Sequence, residues 1–135
     1  MQPDARAKEV GAWLSRAELD LRAAKVDLGA DPPLLADAAF HCQQAVEKAL
    51  KALLTHHDHL FRQTHDIGEL GLACLEHEPS LEALLRESAP LTEYAWRFRY
   101  PGDVFEPDRQ EVESALELAG RVVAEVTAAV AEDPT

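Results

Sequence analysis

The chain has 135 residues, is 47% hydrophobic but only 6% aromatic, and sets 25 acidic against 13 basic side chains for a formal net charge of -12. This length fits one domain with a proper core, and the Ala/Leu-rich balance favours helices over a β-sandwich. So acidic a chain repels bulk phosphate polymer, which argues against broad nonspecific DNA coating and leaves only a local basic pocket open.

Five helical segments are predicted in chain order. The first runs from about Asp4 to Leu28, with Val10, Trp13, Leu14, Ala17, Leu21, Ala24 and Leu28 at three- and four-residue steps. Leu19, Ala23 and Val26 form a weaker second apolar face, which implies a helix sandwiched in the fold or covered by a partner. Gly29 is expected to cap this helix and Pro33 to open the next, which extends to His56. The core stripe of helix two is Leu35, Ala39, Cys42, Val46, Ala49, Leu50 and Leu53. Almost opposite it lie Gln44, Lys48 and Lys51, where Glu47 is spaced to pair with Lys51. Phe40 projects toward that polar side and is a candidate dimer contact.

A His-rich connector follows, in which His56, His57, His59 and His65 sit near Asp58 and Asp66. Their spacing fits no established zinc pattern, so the connector reads as a polar surface loop and no metal or other cofactor is expected. Thr64 or Asp66 is placed to cap a short third helix carrying Ile67, Leu70 and Leu75. Pro79 begins a fourth, which Pro90 kinks or divides, and which ends at Phe98-Arg99-Tyr100-Pro101-Gly102-Asp103. The last helix spans roughly Asp108 to Ala131, with Val112, Leu116, Ala119, Val123, Val126 and Val130 in a seven-residue rhythm. Cys42 and Cys74 lie in apolar helical patterns and read as buried free thiols. With no apolar leader and no run of membrane-spanning length, the chain is expected to be soluble and cytoplasmic. The predicted architecture is all-α: an up-and-down bundle of four to five helices in a single domain, its core covering about residues 5–131.

Four elements together make the sequence similar to the HEPN (higher eukaryotes and prokaryotes nucleotide-binding) domain family. They are the first helix from Trp13 through Asp20, the Gln44-x-x-Glu47-Lys48-x-x-Lys51-Ala52 stretch of helix two, Thr64-His65-Asp66-Ile67 followed by Leu70, and Arg99-Tyr100-Pro101 before the final helix. The resemblance implies a helical bundle that pairs into a homodimer. It also implies a small nucleotidyltransferase as partner, in a toxin–antitoxin-type pair, with nucleotide or RNA as ligand. Some branches are ribonucleases, whose signature is an Arg followed by His after four to six intervening residues. Here those positions hold Gly102, Asp103 and Val104 after Arg97, and Val104, Phe105 and Glu106 after Arg99.

Cleavage of RNA needs a proton acceptor for the 2′-OH, and an arginine that stays protonated is a poor one. The first reading is therefore a binding protein, whose cleft is lined by Arg97, Arg99, Tyr100, Asp103, Gln44, Lys48, Lys51, His65 and Asp66. The bland alternatives stand beside it: Arg99 paired with Asp103, a solvated or dimer-facing helix-two surface, Asp66 as a cap, and His65 bonded to a neighbouring carbonyl. A metal-independent ribonuclease using Arg99 with a distant His such as His65 is the enzymatic alternative, and a ligand-free dimeric interaction module the structural one.

Overall fold

A computed structural model describes residues 1–97, 101 and 106–132. Among them are five α-helices: α1 (Pro3–Gly29), α2 (Leu35–His56), α3 (Ile67–Leu75), α4 (Glu82–Ser88) and α5 (Arg109–Glu132). Short 3₁₀ turns at Pro79–Leu81 and Ala89–Ala95 flank α4, and the described residues contain no strand. The architecture is all-α, as the sequence predicts. None of the described helices is long and apolar enough to cross a membrane.

The helix boundaries follow local chemistry. Pro3 occupies the first turn of α1, where its missing N–H costs nothing. Gly29 does not cap the helix but is its last residue, and no described glycine has a positive φ. The extended Ala30 ends the helix instead, and both its N–H (3.3 Å) and that of Leu34 (2.9 Å) donate to the Asp27 carbonyl. Two donors on one carbonyl replace the left-handed glycine cap. Asp66 caps α3 by accepting from Glu69 N at 3.1 Å, and Asp108 starts α5 by accepting from Glu111 N at 2.7 Å. Pro90 divides the fourth segment, because the helix tightens to 3₁₀ geometry at Ala89.

α2 is the central element: it packs most extensively against α1, next against α5, then against α3 and the 89–95 turn. Leu50, Leu53 and Leu54 of α2, Ile67 and Leu70 of α3, and Val112, Val122, Val123 and Val126 of α5 are fully enclosed. Cys42 and Cys74 are buried free thiols in this core. α1 and α2 run antiparallel, Trp13 lying opposite Lys51 and Asp20 opposite Lys48. The second apolar face of α1 is not sandwiched within the chain, since Leu19 and Val26 are 61% and 66% exposed.

Candidate functional site

α2 is buried on nearly all sides, and its polar face lies under α1 on one flank and under the connector before α3 on the other. The charges there are satisfied internally. Glu47, only 3% exposed, gathers four donors and is the hub of this face. Its Oε2 accepts from Lys51 Nζ at 2.8 Å; its Oε1 accepts from Gln43 Nε2 at 3.0 Å and Gln44 Nε2 at 3.5 Å, and lies 2.7 Å from His65 Nδ1. Burial alone would raise the Glu47 pKa. Hydrogen bonds from Lys51, Gln43 and His65, with the Lys51 charge, outweigh it and hold the carboxyl below its usual range. The Lys51 ammonium also sits 5.5 Å from the centre of the Trp13 ring and 5.9 Å from that of Phe61. These rings replace lost hydration with a cation–π environment.

His65 leans on this buried hub yet keeps 65% of its side chain exposed. Because Glu47 is ionised, Nδ1 is the protonated nitrogen and Nε2 is left as an acceptor. Gln43 Nε2 fixes the backbone by donating to the His65 carbonyl at 3.2 Å. The carboxylate behind it orients the ring and leaves Nε2 on the exposed side. His65 therefore bonds a carboxylate rather than a neighbouring carbonyl, and it pairs with Glu47 rather than with Asp66, which is occupied as a helix cap. The residue after Asp66, Ile67, donates its N–H to Thr92 Oγ1 at 2.9 Å. That bond ties the start of α3 to the turn leading to Arg97.

The predicted cations of helix two are less available than a solvated face would make them. Lys51 is 4% exposed and paired, and Lys48 Nζ lies 2.6 Å from Asp20 Oδ2. Gln44 donates to Gln43 Oε1 at 2.6 Å, so it braces the hub. Phe40 is half-buried, with its ring edge-on to His41 at 5.6 Å. Arg97 is exposed and paired with Glu93 one turn earlier. Arg99, Tyr100 and Asp103 lie outside the described residues. The segment that bears them leaves from a turn fastened to α5, because the buried Tyr94 hydroxyl donates to Glu111.

Sequence reasoning misses Gln43 and Glu47 as the centre of the site, and misses Asp20, Asp27, Asp37 and His41. The signal is present. Trp13, Asp20 and Asp27 recur every seven residues on α1, while Asp37, His41, Gln44, Lys48 and Lys51 recur at four- and three-residue steps on α2. Two such rows on antiparallel helices face each other as a polar seam. The connector also differs from a plain surface loop: His56 is buried, His57 stacks on His77 at 4.3 Å, and His59 Nδ1 lies 2.8 Å from His77 Nε2. An apolar groove between α3 and α4 is lined by Ile67, Leu72 and Leu85 and rimmed by Asp66, Glu69, Glu76, Glu82 and Arg86, with Arg86 paired to Glu82 and Glu69 paired to Arg62. Four carboxylates against one arginine make a rim that does not favour phosphate.

The described residues form an all-α helical bundle. The HEPN domain profile matches residues 10–129, and the chain belongs to the HEPN domain family. A search of the curated proteins finds no match. Among solved structures, the chain is similar to TT1696 from Thermus thermophilus, with a TM-score of 0.73 and 32% identity over 87% of this chain and 95% of that one. It is also similar to ST0689, an archaeal HEPN homologue, with a TM-score of 0.69 and 26% identity over 90% of this chain and 97% of the other.

Proposed function

We propose that this HEPN-domain protein binds a nucleotide or an RNA end and acts as the partner of a minimal nucleotidyltransferase, in a toxin–antitoxin-type pair. The observation that carries the reading is His65, an exposed imidazole held at 2.7 Å by the buried Glu47 carboxylate. Two residues on, Ile67 is tied to Thr92, which precedes Arg97 in the chain. A rigid imidazole suits a phosphate or ribose hydroxyl, the arginines that follow Thr92 would add charge for it, and the acidic remainder of the chain limits binding to that locality. Nucleotide and oligoribonucleotide binding by wild type and Arg99→Ala tests it. Binding at low salt that Arg99→Ala weakens is expected; no binding by either protein overturns the cleft.

A second reading is favoured by the same pair. Glu47–His65 supplies the proton acceptor that the Arg-to-His spacing lacks, which supports a metal-independent ribonuclease with Arg99 for phosphate charge. RNA left intact after incubation with purified wild type removes this reading. In both readings the protein is a homodimer, which the exposed Leu19 and Val26 support. Phe40→Glu is expected to give monomers by light scattering, and an unchanged dimer excludes that ring as the contact.

A further inference from the structure

At the end of the polar seam away from Glu47, three ligand-type side chains converge between the last turn of α1 and the first turns of α2. One oxygen of Asp27, one of Asp37 and one ring nitrogen of His41 all lie within 4.8 Å of one another. His41 Nε2 is 3.6 Å from Asp37 Oδ2. Two ligands on one tetrahedral Zn²⁺, each about 2.0–2.1 Å from it, are roughly 3.4 Å apart. The pair thus stands near coordination distance, with the Asp27 oxygen within 4.8 Å of both.

Two further features separate this group from an ordinary acidic cluster. Asp27 is 8% exposed, and its Oδ2 is buried with no donor bonded to it. Burial and the neighbouring Asp37 carboxyl both disfavour charge on Asp27, a conflict that a cation between the two carboxylates would relieve. The backing of His41 is also that of a metal ligand. Asp20 Oδ1 lies 2.8 Å from His41 Nδ1, and Asp20 is itself held through Oδ2 by Lys48 at 2.6 Å. The carboxylate keeps the proton on Nδ1 and turns the Nε2 lone pair toward Asp37, the orientation that carboxylate–histidine–metal triads use. The Asp37 side chain is 51% exposed and offers an entry path. The backbone beneath is fixed, since Ala30 N and Leu34 N both close onto the Asp27 carbonyl.

We propose that Asp27, Asp37 and His41 form a binding site for one divalent first-row transition ion, with Asp20 as the positioning residue of His41. One imidazole nitrogen with two carboxylates suits Zn²⁺, whereas Mg²⁺ and Ca²⁺ prefer oxygen-only shells. The fourth position falls to water on the Asp37 side. The bound ion clamps the end of α1 to the start of α2.

The test uses the full chain after chelator treatment, titrated with Zn²⁺ by calorimetry and followed by thermal melting. The expected result is one ion per chain and a Tm that rises with Zn²⁺. Asp37→Asn, at an exposed position, should keep the helical circular dichroism spectrum yet lose both the binding and the Tm rise. Asp20→Asn should weaken binding by about 10–100-fold, the usual effect of removing an outer carboxylate. The double variant His59→Ala/His77→Ala should bind as wild type does. No binding by wild type, or binding that survives Asp37→Asn and disappears with His59 and His77, overturns the proposal. Unchanged affinity in Asp20→Asn overturns the role given to that residue.

Discussion

Replacing Glu47 with glutamine preserves the shape of the side chain and removes the carboxylate that holds Lys51. In the native chain Lys51 is 4% exposed, with Nζ at 2.8 Å from Glu47 Oε2. Breaking a buried pair from one side costs about 3–5 kcal/mol, because the remaining charge stays desolvated. Trp13 and Phe61 return part of this, about 0.5–2 kcal/mol as cation–π attraction, which places the expected loss near the lower end, about 3 kcal/mol. A domain of 135 residues has a total stability of about 7–20 kcal/mol, so the loss is easily read in urea denaturation. Lys51→Met in the Glu47→Gln background should recover most of it, since an apolar isostere leaves no buried charge. The Glu47 carboxyl is depressed in the folded chain. Its contribution is therefore complete above the unfolded value of about 4.3 and is lost as the pH falls through the lower folded value. Wild type should lose stability on acidification below about pH 4.3 more steeply than Glu47→Gln. A Glu47→Gln loss under about 1 kcal/mol, with parallel acid profiles, refutes the view that this hub organises the face.

Other expectations follow from local geometry. Burial raises Cys42 to about 12, helped by the Asp20 charge, and burial alone raises Cys74 to about 12. Both thiols should resist alkylation at pH 8 in the folded chain and react fully in denaturant; rapid native labelling contradicts their placement. A Cβ added at Gly120 in α5 meets nothing within 4 Å, so Gly120→Ala should stabilise by roughly 0.5–1 kcal/mol in urea melts. Asp66→Ala removes the cap of α3 and should cost about 1 kcal/mol, whereas a catalytic Asp66 would lose function without loss of stability.

Much of the bundle is legible in the sequence because each long helix carries an unbroken apolar stripe. Val10, Ala17, Leu21 and Ala24 in α1, and Val112, Ala119, Val123 and Val126 in α5, are buried where periodicity places them. Asp66 as a cap and the Glu47–Lys51 pair are readable from spacing alone. Their burial is not. Periodicity on α2 separates apolar from polar, but it does not reveal that Trp13, Asp20 and the connector cover the polar side. Charged residues that neutralise one another across two helices look, in one helix taken singly, like a solvated face. His65 is visible as a family residue, but its partner lies on another element, eighteen positions away in sequence. The Gly29 cap fails for a related reason: Ala30 and Leu34 satisfy the Asp27 carbonyl through a turn of the chain that no dipeptide rule describes.

The proposed function rests on a phosphate-bearing ligand being held beside His65 and the arginine segment. Fluorescence anisotropy of a labelled oligoribonucleotide, titrated at low salt with wild type, His65→Ala and Arg99→Ala, reads that contact without any intervening step. Wild type should bind, its affinity should fall as salt rises, and each variant should lose about tenfold or more. No binding by wild type, or three superimposable isotherms, would leave His65 and Arg99 without the ligand assigned to them.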